Sequence, residues 1–181
     1  MLSNKAIKEE IKRNSISVDN ALNNVLENSI KVTLGDTVKV YDAPYLNTTE
    51  KTPTKEIPIP EDGLILKPNE LYIARTEEYT KTYGFVPMLA GREELATLGM
   101  EIHITAGFGD NGFEGTWTLE IVCANPTIVF PGMDIGEIYY FPLIGDPEIE
   151  YRGKYFRQIE PTASRLSQEY KKKVMVKKEA C

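Results

Sequence analysis

Between residues 63 and 143 the sequence breaks into short apolar runs, GLILKP, ELYIART, GMEIHITAG, GTWTLEIVC, TIVFPGM and GEIYYFPL. Runs this short, recurring at close spacing and punctuated by turn residues, cannot carry a helical stripe and point to an all-β architecture. Upstream, SIKVTLGDTVKVYD alternates, with Ile30, Val32 and Leu34 facing one way and Lys31 and Thr33 the other, and Gly35-Asp36 turns the chain into a second strand. Helical patterning is confined to NKAIKEEIKRN, where Ala6, Ile7 and Ile11 share a stripe, and to the glycine-bracketed turn GREELATLG. Residues 43–62, APYLNTTEKTPTKEIPIPED, read as an exposed loop whose prolines suit edge or irregular backbone. The predicted fold is mostly β, a sandwich or barrel with short helices inserted.

A chain of 181 residues fits one domain with one core. That domain is expected over residues 1–170, followed at 171–181 by a basic and flexible tail, KKKVMVKKEAC, solvated or docked to a polyanion. Net charge is -6, from 27 acidic against 21 basic residues, so a nucleic-acid-coating surface is not expected. No stretch approaches the length of an apolar membrane span and the N-terminus lacks an apolar signal region, so the expected setting is cytoplasmic, with no membrane partner. Cys123 sits in an apolar run and Cys181 is the last residue, which argues against a disulfide framework and against a cysteine-built zinc site.

In GTWTLEIVC, alternation puts Trp117, Leu119 and Ile121 on one face and Thr118, Glu120 and Val122 on the other. A mid-strand carboxylate among apolar neighbours is costly unless it is paired, solvated or functional. If its face is covered, Glu120 is a candidate general acid/base; if the face is open, it is a solvated strand glutamate. His103, the single histidine, alternates with Ile102 and Ile104 and reads as a structural strand residue. Neither a GxxxxGK[ST] phosphate loop nor a GxSxG elbow occurs. TAGFGDNGFEG packs Gly107, Gly109, Gly112, Gly115 and Asp110 into one tight connection. Plain turn chemistry explains it, and so does an aspartate placed to meet a ligand hydroxyl or orient a water.

Taken in order, the motifs of GFVPMLAGREELATLGMEIHITAGFGDNGFEGTWTLEIVCANPTIVFPGMDIGEIYYFPL resemble the core of the dCTP deaminase family, in the trimeric dUTPase-like superfamily. That pattern runs GRSSxxRLG, H(V/I)TAG, D-x-G-F-x-G, a TLE strand, then PGM-x-I-x-Q. LSNKAIKEEI and ENSIKVTLGD resemble the family's first helix and strand, and YRGKYFRQIEPTASRL its closing segment. The resemblance implies a distorted jelly-roll β-barrel of the dUTPase-like type with short helices, assembled as a homotrimer with active sites between subunits. It implies hydrolytic deamination of a deoxycytidine nucleotide, dCTP to dUTP, in some members with release of diphosphate to give dUMP. Magnesium would accompany the triphosphate, and no zinc would be used. By the same resemblance Glu120 would shuttle the proton, and the Ala106 carbonyl would help hold the attacking water. Asp110 would meet the sugar 3'-hydroxyl, while Arg92, Tyr151, Lys154, Tyr155 and Gln158 would contact phosphate and ligand.

Departures from the pattern concentrate in one turn. Glu93 and Glu94 stand where the family has two serines, and Thr97 where it has a second arginine. The turn thereby loses one positive charge and gains two negative ones, which a triphosphate would feel strongly. Lys31 is a smaller departure, at a position where aspartate is usual. These substitutions leave an alternative open: a homologue that binds nucleotides without turnover, or that acts on a less charged nucleotide.

Overall fold

A computed structural model describes residues 1–170; the stretch expected to form a flexible tail, 171–181, lies outside the described residues. The elements are α1 (Asn4–Lys12), β1 (Ile16–Val18), α2 (Ala21–Asn24), β2 (Ile30–Thr33), β3 (Thr37–Tyr41), β4 (Thr54–Pro58), β5 (Leu64–Leu66), β6 (Tyr72–Arg75), β7 (Thr80–Thr82), β8 (Phe85–Gly91), α3 (Glu93–Thr97), β9 (Met100–Glu101), β10 (Glu114–Gly115), β11 (Thr118–Cys123), β12 (Thr127–Val129) and β13 (Asp134–Pro142). The protein is mostly β, as the alternation predicts. The described strands fall into four sheets, ordered β1-β7-β10, β4-β3-β6-β11-β9, β12-β5 and β2-β13-β8. No helix among the described residues is long and apolar enough to cross a membrane.

Each predicted stripe finds the core. Ile7 is buried on α1 while Ala6 and Ile11 flank it, and Ser3 caps that helix through its hydroxyl. Ile30, Val32 and Leu34 are fully buried, as are Leu119 and Ile121 of β11 and Ile138 and Tyr140 of β13. These side chains belong to one continuous apolar cluster drawn from all four sheets.

Two segments depart from expectation. Within the predicted loop 43–62, residues 54–58 pair with β3 as an edge strand ending at Pro58, a position that needs no further ladder bond. Conversely, the run GMEIHITAG stays extended only through Glu101, so His103 lies beyond the strand, in irregular backbone.

Glu78 joins β6 to β7 and is 5% exposed. It accepts hydrogen bonds from the Thr33 backbone N–H and hydroxyl, each at 2.9 Å. Burial pushes its carboxyl above the ordinary range, and the bonds from Thr33 pull only partly the other way. The native state therefore holds a proton over a pH interval where the unfolded chain has lost it, and this group's contribution to stability falls as pH rises through that interval. Glu78→Gln keeps an acceptor for the Thr33 N–H and offers its own N–H to the hydroxyl. The expected result is a higher melting temperature than the native chain at about pH 8, with the gap closing as pH is lowered into the carboxylate range. Thermal melts across a pH series check this, and a gap that widens on acidification would contradict it.

Candidate active site

Cross-strand register decides which side chains meet outside the core. Glu120 on β11 lies opposite Ile73 on β6, and Ile73 lies opposite Lys39 on β3. Partners in register share a face, so Tyr41, Ile73, Thr118 and Glu120 look outward together. Above this face opens a cavity of about 400 Å³ lined by these residues together with His103, Ala106, Asp110, Tyr151, Tyr155 and Gln158.

One wall is the glycine-rich connection. Gly109 donates its N–H to the Pro87 carbonyl on β8 at 2.7 Å, and a Cβ on Gly109 would lie 2.5 Å from the Trp117 ring. Only glycine lets the backbone lie this flat on the strand and the indole, and in doing so it carries Ala106 and Asp110 to the rim. Phe113 packs at a tilt against Trp117, 5.3 Å between ring centroids, and against Tyr151 at 6.2 Å, so the cavity has an aromatic side.

The roof is the closing segment. The Thr116 N–H donates to the Gln158 carbonyl at 3.0 Å, and the Thr116 hydroxyl to the Ile159 carbonyl at 2.9 Å. Gly115 pairs with Gln158 as a parallel bridge, and a Cβ there would come within 2.8 Å of the Gln158 carbonyl oxygen. Further along, Lys39 Nζ donates to the Pro161 carbonyl at 3.1 Å, and the Ser164 N–H to the Tyr41 hydroxyl at 3.1 Å. Gln158 Nε2 donates to the Thr116 carbonyl at 2.9 Å and to Thr118 Oγ1 at 3.1 Å. A carbonyl only accepts, so the amide orientation is fixed, and Oε1 is left buried without a partner.

Glu120 has a partner that alternation alone does not reveal: one carboxylate oxygen contacts His103 Nδ1. The Glu120 side chain is 32% exposed toward the cavity and the imidazole 10% exposed beneath it. The face of β11 that carries Glu120 is thus half open in the single chain. Leaving the strand after Glu101 is what swings the histidine across to the carboxylate.

Six of the eight expected site residues, Glu120, Ala106, Asp110, Tyr151, Tyr155 and Gln158, therefore line one cavity. The other two do not. Lys154 pairs with Glu169 and lies 5.6 Å from the Tyr155 ring centroid; the bond to Glu169 raises its pKa. Arg92 lines a neighbouring groove that shares His103 and Phe108 with the cavity. Its Nε and Nη2 donate to the two carboxylate oxygens of Glu94 at 3.2 and 3.0 Å, and Nη1 to Asp134 at 3.2 Å. Thr97, in the same turn, donates its hydroxyl back to the Glu94 carbonyl at 2.9 Å. Among the described residues no group of three or more His, Cys, Asp or Glu side chains is arranged to hold a metal ion.

The profile of the dCTP deaminase-like family matches residues 1–143. A dCTP deaminase, dUMP-forming, of Clostridium beijerinckii is 44% identical over 155 residues, covering 86% of this chain and 90% of that protein. One of the same name in Cytophaga hutchinsonii is 44% identical over 128 residues, 71% of this chain and 74% of that one. The crystal structure of the 2'-deoxycytidine 5'-triphosphate deaminase from Agrobacterium tumefaciens superposes with a TM-score of 0.60 at 16% identity over 77% of this chain. This chain spans 46% of that longer one, and the likeness is one of fold.

Gln158→Leu deletes both anchoring bonds and leaves the Thr116 carbonyl buried without that donor. Roughly 1–3 kcal/mol of stability should be lost. Limited proteolysis should then cut within residues 159–168 well before the sheet residues; an unchanged cleavage pattern would show that Gln158 does not hold the roof.

Proposed function

The chain belongs to the dCTP deaminase-like family, and we propose on that premise that it is an enzyme converting dCTP to dUMP with release of ammonia and diphosphate. The observation that supports this most is Glu120 directed into a cavity with the Ala106 and Asp110 backbone at its rim, in a chain so close to relatives named for that conversion.

In the first step one water adds to C4 of the cytosine ring. Glu120 takes a proton from that water and delivers it to N3. The tetrahedral centre then collapses to a carbonyl as the amino group, receiving a second proton through Glu120, departs as ammonia. His103 holds the carboxylate in one orientation, so the group need not reorganise during transfer. The Ala106 carbonyl helps position the water. In the second step another water, oriented by Asp110, attacks the α-phosphorus of dUTP and expels diphosphate. Magnesium bound to the substrate's own phosphates would offset part of their charge; Tyr151, Tyr155 and Gln158 on the cavity wall receive the sugar and phosphate chain, and Lys154 joins them by leaving Glu169. Arg92 serves the cavity of a second copy in a homotrimer, which accounts for its place on a neighbouring groove.

One observation favours a second reading, that of a binding homologue or an enzyme for a less charged nucleotide: Arg92 is already engaged by Glu94. Product analysis with magnesium on dCTP, dUTP, dCMP and deoxycytidine separates the two. The expected outcome is equimolar ammonia and dUMP from dCTP, reduced roughly 10²–10⁴-fold by Glu120→Gln with the assembly intact. Turnover of dCMP alone, or nucleotide binding without product, would establish the second reading instead.

A further inference from the structure

We propose that Glu94 is an affinity-setting residue of this chain: its carboxylate occupies the edge of the Arg92 guanidinium that a substrate phosphate takes, so that phosphate must displace it. The inference rests on the reading above that Arg92 binds substrate phosphate.

A guanidinium offers Nε–H and one Nη–H side by side, an edge that matches the two oxygens of a carboxylate or of a phosphate in the same bidentate way. Glu94 fills that edge with both of its oxygens. The two anions therefore compete for one site. The other end of the fork is held separately: Nη1 donates to Asp134, whose carboxylate also pairs with Lys31 at 3.0 Å. Lys31 and Asp134 thus keep Arg92 in place whether or not Glu94 is bound.

Exposure decides which partner yields. In the single chain the Glu94 side chain is 62% exposed against 25% for Arg92, so the competitor is the less embedded of the two and can leave without disturbing the core. An ion pair this open is weak, which makes Glu94 a modulator of affinity and not a block. The pairing is nonetheless specific. The bond to Glu94 raises the Arg92 pKa, and the bond from Arg92 lowers that of Glu94. Glu93 carries the same charge one residue earlier, yet among the described residues the carboxylates bonded to Arg92 are those of Glu94 and Asp134.

The test is a double-mutant cycle on the full chain, reading the Kd of magnesium dCTP by calorimetry in a Glu120→Gln background, whose turnover is slow on the timescale of the titration. Glu94→Gln should tighten binding by about two- to fivefold, the range of an exposed pair. Glu93→Gln should tighten it less, and Glu94→Gln should have no effect once Arg92→Ala is present. Equal gains from Glu93→Gln and Glu94→Gln would mean a diffuse field effect and overturn the proposal, as would a Glu94→Gln gain that survives Arg92→Ala. If Arg92→Ala alone leaves Kd unchanged, it is the phosphate-binding reading of Arg92 that falls. Should Arg92→Ala fail to fold, Arg92→Lys, which keeps the charge and loses the paired edge, takes its place in the cycle.

Discussion

Strand β11 belongs to two environments at once, and the rest of the molecule is arranged around that division. Because successive side chains point to opposite faces, Leu119, Ile121 and Cys123 enter the core while Thr118 and Glu120 face the cavity. A slip of one residue in its pairing with β6 would send Glu120 into the apolar cluster and expose Leu119. The cost of burying that carboxylate protects the register, and the register in turn fixes where the carboxylate stands. The packing of the core and the placement of Glu120 are held by the same hydrogen-bonded ladder.

Two of the walls around Glu120 are fixed in good part by backbone contacts. The glycine-rich connection lies flat on β8, and the closing segment is held by main-chain groups and hydroxyls around Thr116 together with the Gln158 amide and Lys39. Such walls leave little rotamer freedom to be lost when a ligand binds. In the Arg92 turn, by contrast, long charged side chains on the surface carry most of the contacts and the energies are correspondingly small.

Much of this was legible in the sequence, for reasons that also mark where legibility stops. The faces of β2 and β11 and the stripe of α1 follow from local period alone, and the GREELATLG turn does form a short helix. Strands β1, β7 and β10, of three, three and two residues, are too short to show any period. β4 exists because β3 offers a free edge, a fact about pairing that composition does not encode. The contact between His103 and Glu120 spans 17 residues and needs the chain to leave its strand early. Arg92 and Glu94 are only two apart, a spacing that does not bring side chains together on a helix. They meet because Arg92 is still extended at the helix cap, φ -77° and ψ 145°, while Glu94 is already helical.

The roof of the cavity has a consequence for how the molecule comes into being. Gln158 lies 40 residues beyond Thr118, the side chain it grips, and every other wall precedes it in the chain. Among the described residues, the sheet bearing Glu120 uses none beyond Cys123, and its outer face stays bare until the closing segment docks on it. The Glu120 carboxylate thus owes its position to residues that all precede the segment enclosing it.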